Sequence, residues 1–283
     1  MTRIVREAFR STPTLEGAGV RLHRAFGFGR ERLFDPFLLF DDFRGDDPSD
    51  YSAGFPWHPH RGIETITYLI DGEVEHGDSL GNAGRIGPGE VQWMTAGSGV
   101  IHQEMPEGDA TGRMGGFQLW ANLPASHKMM DPRYRSIEAA EVPVAETDEA
   151  RVRVVAGRVG EVVGPVTDVV IDPEYLDVTV HPGRTWTYPT LRGHTVFAYL
   201  FEGEACFGPS GGAETVCADD GVVLLLGDGD EVSVTAGAEG ARFLLVSGRP
   251  LGEPIAWRGP IVMNTREELE SAFSEYHAGT FVK

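Results

Sequence analysis

Two short pieces of this chain, Trp57-His58-Pro59-His60-Arg61-Gly62-Ile63-Glu64 and Val100-Ile101-His102-Gln103-Glu104, hold three of its nine histidines and two acids. Each piece contains an i, i+2 pair: His58 with His60, and His102 with Glu104. Side chains at i and i+2 of a β-strand share a face. If both pieces are strands of one small barrel, four ligand atoms converge on a point inside it. Three imidazoles and one carboxylate suit a mid-to-late first-row divalent metal, with positions left open for a substrate and dioxygen. The His-Glu-x-x-His pattern of zinc peptidases is absent. No paired-cysteine set points to structural zinc. A single His-x-His is more often a surface or core pair than a ligand pair. The reading rests on two such pairs, each framed by glycine-rich turns.

The elements that must position these residues are short strands. Apolar segments alternate with Gly, Pro, Asp and Asn, and 37 glycines punctuate the chain. That spacing reads as an all-β sandwich or barrel. Thr65–Ile70 is a predicted strand, Asp71-Gly72 a hairpin turn, and Glu73–His76 the start of a return strand. Gly87-Pro88-Gly89 precedes a strand over Glu90–Met94, and Thr95–Gly99 turns the chain into the His102 piece. Helical spacing appears only late. Thr265 and Glu268 fit a capping box, Leu269, Ala272, Phe273 and Tyr276 follow, and Ala278-Gly279 ends the helix.

The chain repeats itself. Arg61-Gly62 before Tyr68-Leu69-Ile70-Asp71-Gly72-Glu73 matches Arg192-Gly193 before Tyr199-Leu200-Phe201-Glu202-Gly203-Glu204, an offset of 131. A second match at offset 140 aligns Gly87-Pro88-Gly89 with Gly227-Asp228-Gly229 and Thr95-Ala96-Gly97 with Thr235-Ala236-Gly237, which requires a nine-residue insertion. Two copies of one β-barrel domain are the economical reading. At these offsets His58, His60, His102 and Glu104 fall on Pro189, Leu191, Arg242 and Leu244. The scaffold residues recur and the proposed ligands do not, so the second copy is expected to bind no metal.

The chain has 283 residues, enough for two ordinary domains. No apolar run reaches about 18 residues, so no transmembrane helix is expected. Met1–Glu7 lacks the apolar core of a signal peptide, and a cytoplasmic protein is expected. The net charge, 24 − 43 = −19, repels nucleic acid and anionic lipid, so neither is an expected partner. Cys206 and Cys217 are read as ordinary thiols, and His76 with Asp78 as a surface hydrogen bond on a hairpin. Phe55, Trp57, Trp93, Met94, Phe117 and Leu119 are candidate apolar and aromatic walls of a pocket.

His58-Pro59-His60-Arg61-Gly62 with Glu64, and Trp93-Met94-Thr95-Ala96-Gly97 running into His102-x-Glu104, resemble the pirin family of the cupin superfamily. Leu33-Phe34-Asp35-Pro36-Phe37 and Asp41-Asp42-Phe43 resemble the segment ahead of the family's first motif. Gly252-Glu253-Pro254-Ile255, Gly259-Pro260 and Met263-Asn264-Thr265 with Glu267-Glu268 resemble its C-terminal signature. The resemblance covers nearly the whole length. It implies an all-β bicupin: two cupin β-barrels packed face to face, with a short C-terminal helix. The division expected is 1–138 for the metal-bearing barrel, 139–150 for a linker, and 151–283 for a barrel without metal ligands plus the helix. The resemblance implies one metal per chain on His58, His60, His102 and Glu104, with Glu64 behind the ligands. Iron(II) is the expected metal, and Ni, Co, Mn, Cu and Zn are compatible. Family members similar to this chain are quercetinases, dioxygenases that open the central ring of a flavonol and release carbon monoxide. A flavonol or other small phenol and dioxygen are then the expected partners, and Glu104 the catalytic base. The alternative within the family is a non-enzymatic, iron-binding, redox-sensing regulator acting through a protein partner. A monomer is expected.

Overall fold

The computed structural model describes residues 1–209, 212 and 214–283. Strands dominate, and the chain divides into two compact units, each discontinuous in sequence. One unit, here the histidine unit, comprises Pro13–Glu31, Phe37–Ala139 and Leu251–Lys283. The other comprises Met1–Thr12, Arg32–Pro36 and Ala140–Pro250. The contiguous division expected from sequence differs from this one. Val5–Arg10 pairs with Val222–Leu226 in the second unit, and the helix Arg266–His277 belongs to the histidine unit. Val144–Glu146, inside the expected linker, is an edge strand paired with Ala150–Ala156. Segments remote in sequence cover sheet edges that would otherwise expose unpaired backbone.

The histidine unit is built on two larger sheets, with a small two-stranded one at Ala256–Arg258 and Ile261–Met263. Four strands run in the order Phe55–His60, Val100–Glu107, Glu73–Asp78, Ala83–Ile86. Seven run in the order Arg133–Ile137, Val91–Thr95, Ile63–Asp71, Gly115–Asn122, Phe37–Asp42, Val20–Phe26, Thr12–Glu16. Asp71-Gly72 therefore does not close a hairpin: the chain leaves one sheet there and enters the other. Gly72 permits the corner, because its φ is +72° and a Cβ would lie 2.7 Å from the Glu107 carbonyl oxygen. The expected helix is present, with Thr265 and Glu268 forming the capping box.

The second unit repeats this plan. Thr185–Pro189, Glu231–Gly248, Thr195–Phe207 and Val216–Asp219 pair in succession as the four-stranded sheet of the histidine unit does. Gly62 and Gly193 have φ of +78° and +77°, and Gly72 and Gly203 both have +72°, as the offset of 131 requires. The second match is corrected. Gly89 corresponds to Gly221: both have φ of +82°, and their N–H groups donate to Leu69 and Leu200 carbonyls at 2.8 and 2.9 Å. No nine-residue insertion intervenes there. The counterpart of the His58 and His102 strands is Thr185–Pro189 with the first half of Glu231–Gly248, where Trp186 opposes Val234 and Tyr188 opposes Val232. Cys206 opposes Cys217 across an antiparallel pair and forms a disulfide with it, so these are not the free thiols expected.

Candidate metal centre

Among the described residues, one group of potential metal ligands brings its donor atoms within 4.8 Å of one another: His58, His60 and His102. The strand register explains why. His102 lies opposite His58 and Val100 opposite His60, so alternation aims all three rings at one face. The rings meet at centroid distances of 4.8, 4.4 and 4.9 Å.

The tautomers favour a cation. His58 Nδ1 lies 2.9 Å from the Pro56 carbonyl, and His60 Nδ1 lies 3.1 Å from the Pro260 carbonyl. A carbonyl only accepts, so both Nδ1 atoms carry a proton, and in the neutral ring Nε2 is then the atom with the bare lone pair. Those two Nε2 atoms face each other at 3.0 Å. Facing lone pairs repel. Two nitrogens bound at about 2.1 Å and a right angle to one ion would lie about 3.0 Å apart. Neither ring nitrogen of buried His102 has a hydrogen-bond partner. Burial, then the neighbouring imidazoles, pushes the His60 and His102 pKa values well below the ordinary histidine value, which keeps the rings neutral. Three imidazoles whose ring nitrogens converge within 4.8 Å fit a divalent transition metal.

Glu104 stands beside this cluster. Its Oε2 is 4.0 Å from His102 Nε2. Thr67 Oγ1 donates to its Oε1 at 3.0 Å, and Gln118 Nε2 donates to its Oε2 at 3.2 Å. Glu64, buried on Ile63–Asp71, accepts from Trp93 Nε1 at 2.9 Å and Thr95 Oγ1 at 2.8 Å. Its bonds thus go to the neighbouring strand and not to a ligand histidine. Burial raises its pKa against those two hydrogen bonds.

A cavity of about 680 Å³ opens on His58 and His60. Of the six pocket candidates read from sequence, only Phe55 lines it. Trp57 is 53% exposed, and Trp93, Met94, Phe117 and Leu119 are buried in the core, where Phe117 stacks on Phe40. The walls are instead Phe28, Leu39, Gln118, Trp120 and Trp257. Gln118 and Trp120 alternate with Phe117 and Leu119 on one strand, so the sequence reading chose the opposite face. A continuous aromatic row runs from His60 to Trp120 at 5.0 Å, Trp120 to Trp257 at 6.1 Å, and Trp257 to Phe28 at 5.6 Å. The Arg24 guanidinium, also in the wall, is neutralised by a two-pronged pair with Asp41 at 2.8 Å.

His76 and Asp78 are not a surface pair. Both are buried, with His76 Nε2 3.5 Å from Asp78 Oδ2 and Nδ1 3.1 Å from the Gln92 amide nitrogen. His76 stacks on Tyr134 at 4.8 Å and lies 5.4 Å from the His102 ring. The i, i+2 spacing of His76 and Asp78 was the available signal for this, the same one that located the histidines.

Residues 19–121 match the Pirin family model, and residues 175–282 match that of the Pirin C-terminal cupin domain. A pirin-like protein of Caulobacter vibrioides is 44% identical over 281 residues, covering 99% of each chain. Human pirin is 38% identical over 92% of this chain and 88% of its own. The crystal structure of a quercetin 2,3-dioxygenase from Acinetobacter baumannii superposes with a TM-score of 0.88 at 32% identity, covering 99% of both chains.

Proposed function

The chain belongs to the pirin family, and on that premise we propose that it is a metal-dependent dioxygenase of the quercetin 2,3-dioxygenase type. It would open the central ring of a flavonol with dioxygen and release carbon monoxide. The observation that carries this reading is one side chain with two contacts: Gln118 lines the aromatic cavity and also holds the Glu104 carboxylate beside the histidines.

A divalent metal, iron(II) in this reading, held by His58, His60, His102 and Glu104, would supply Lewis acidity and an open position for the substrate's 3-oxygen. The protein's own part begins with orientation. The row Trp120, Trp257 and Phe28, with Phe55, offers a flat apolar surface to a planar phenol. Glu104, one of the residues that would hold the metal, would take the proton of the 3-hydroxyl on Oε2, the oxygen 4.0 Å from His102 Nε2. Thr67 and Gln118 fix the plane of its carboxylate through the transfer. His58 and His60 keep their Nδ1 protons on backbone carbonyls and stay out of the proton transfer. Burial of His102 and Glu104 keeps bulk water from the base itself.

The test is dioxygen uptake and carbon monoxide release by the iron-loaded protein across a panel of flavonols and simpler phenols. Equal consumption and release with at least one flavonol is the expected result. No uptake with any of them would overturn the reading and leave a metal-bound regulator with a protein partner as the family alternative.

A further inference from the structure

Behind the strand that carries His58 and His60 runs a segment from far along the chain, Ala256–Phe281, in the same unit. It supplies the Pro260 carbonyl that holds the His60 Nδ1 proton. Immediately beyond, Val262 N–H donates to the Arg61 carbonyl at 3.1 Å. Gly62 comes so close that a Cβ there would lie 2.0 Å from the Val262 oxygen. Buried Lys128 bolts the contact: its Nζ donates to the Gly62 and Val262 carbonyls at 2.9 and 3.0 Å and to Asn122 Oδ1 at 2.7 Å.

Arg61 extends the attachment. Arg61 itself is only 2% exposed. Nη2 donates to Glu275 Oε2 at 2.8 Å and to the Phe281 carbonyl at 2.9 Å, and the guanidinium lies 4.2 Å from the Phe281 ring centroid. Phe281 in turn presses on Gly99, where a Cβ would lie 2.8 Å from the Phe281 oxygen. Gly99 leads directly into the strand that bears His102, and Ile101 of that strand packs on the apolar cluster of Ile261, Met263, Leu269, Ala272 and Phe281. One segment thus grips the root of both ligand strands.

The affinity of an imidazole site depends on ring tilt and tautomer, which groups outside the ligand set control. We infer that Arg61, anchored on Glu275 and Phe281, is a positioning residue for His60. It holds the turn that carries Pro260 where that carbonyl fixes the His60 tautomer and leaves Nε2 for the metal. Arginine suits the role because its planar guanidinium lies over the Phe281 ring while Nη2 donates to a carboxylate and a carbonyl, and a lysine ammonium offers no plane to stack. This inference rests on the metal-centre reading but adds a claim of its own: residues outside the site set how long the metal stays.

The experiment measures the rate of iron loss from the full chain to a competing chelator, well below each variant's melting temperature. It also records the His60 imidazole nitrogens by NMR in the metal-free protein. Arg61→Lys should release iron about ten- to a hundredfold faster, and Glu275→Ala about tenfold faster, the usual range for residues behind a metal ligand. Both should shift His60 away from a single Nδ1–H tautomer. Leu22→Ala, in a separate apolar cluster of the same unit, calibrates what lost stability alone does. If it matches the other two, or if iron loss and tautomer are unmoved in Glu275→Ala, the inference is overturned. Should Arg61→Lys not fold, Glu275→Ala decides alone. Should the parent bind no metal, the metal reading falls, and the His60 tautomer in Glu275→Ala still decides whether the anchor positions the ring.

Discussion

In the histidine unit, His58 sits opposite His102 across an antiparallel strand pair; in the other unit the corresponding pair sets Trp186 opposite Val234 and Tyr188 opposite Val232. The backbone plan is shared and the interior is not. In the second unit these four residues join one apolar cluster with Leu200, Leu224 and Phe243. That interior is complete on its own. In the histidine unit the same position holds imidazoles, and His102 has two buried nitrogens without hydrogen-bond partners. Each such group costs about 1–3 kcal/mol when left unsatisfied. One copy of the fold thus gives its interior to packing. The other accepts a local instability that a bound cation relieves.

The comparison meets its hardest trial at Glu104. Glu104→Gln keeps the shape and one oxygen donor but removes the base. In the proposed reaction this variant should bind iron more weakly and lose about 10²–10⁴-fold of flavonol-dependent dioxygen uptake. Undiminished turnover with intact metal would remove Glu104 as the base.

Next comes the packed unit. Leu224→Ala, in the core of the second unit, should cost about 2–5 kcal/mol in a denaturant titration. The folded fraction should keep its full metal content. Metal lost in proportion to that destabilisation would show that the two interiors are not independent in role.

The smallest effect concerns Glu64, whose place at offset 131 is taken by Thr195. Burial raises the Glu64 pKa above its ordinary value of 4.5. The folded protein therefore keeps a proton that the unfolded chain has lost, and stability falls as pH rises from about 4.5 through the raised value. Glu64→Gln should remove that part of the slope. Parallel urea midpoints of the two proteins across this window, without metal, would contradict the assignment.

The three clustered histidines were legible because strand alternation is strict and their ring types are rare. The helix over Arg266–His277 was legible from a capping box, a local signal. The pocket was not. The strand Gly115–Asn122 is buried or half-buried on both faces, so hydrophobicity could not tell Phe117 and Leu119 from Gln118 and Trp120. Trp257 and Pro260 reach the site from residues remote in sequence, and nothing local to them announces it. The barrel repeat was read correctly where identical turns recur, at Gly62 and Gly193. It misled where Gly-x-Gly recurred by composition, at Gly229 in place of Gly221. The disulfide escaped because eleven residues between two cysteines do not reveal a register that sets them opposite each other.

The central claim, that one of two matching barrels holds the metal, is tested most directly by counting metal in the full chain beside its His60→Ala variant. After loading with iron(II) and removal of free metal, elemental analysis should give near one equivalent per chain for the parent and near none for the variant. Two equivalents in the parent, or an equivalent retained by His60→Ala, would contradict the account.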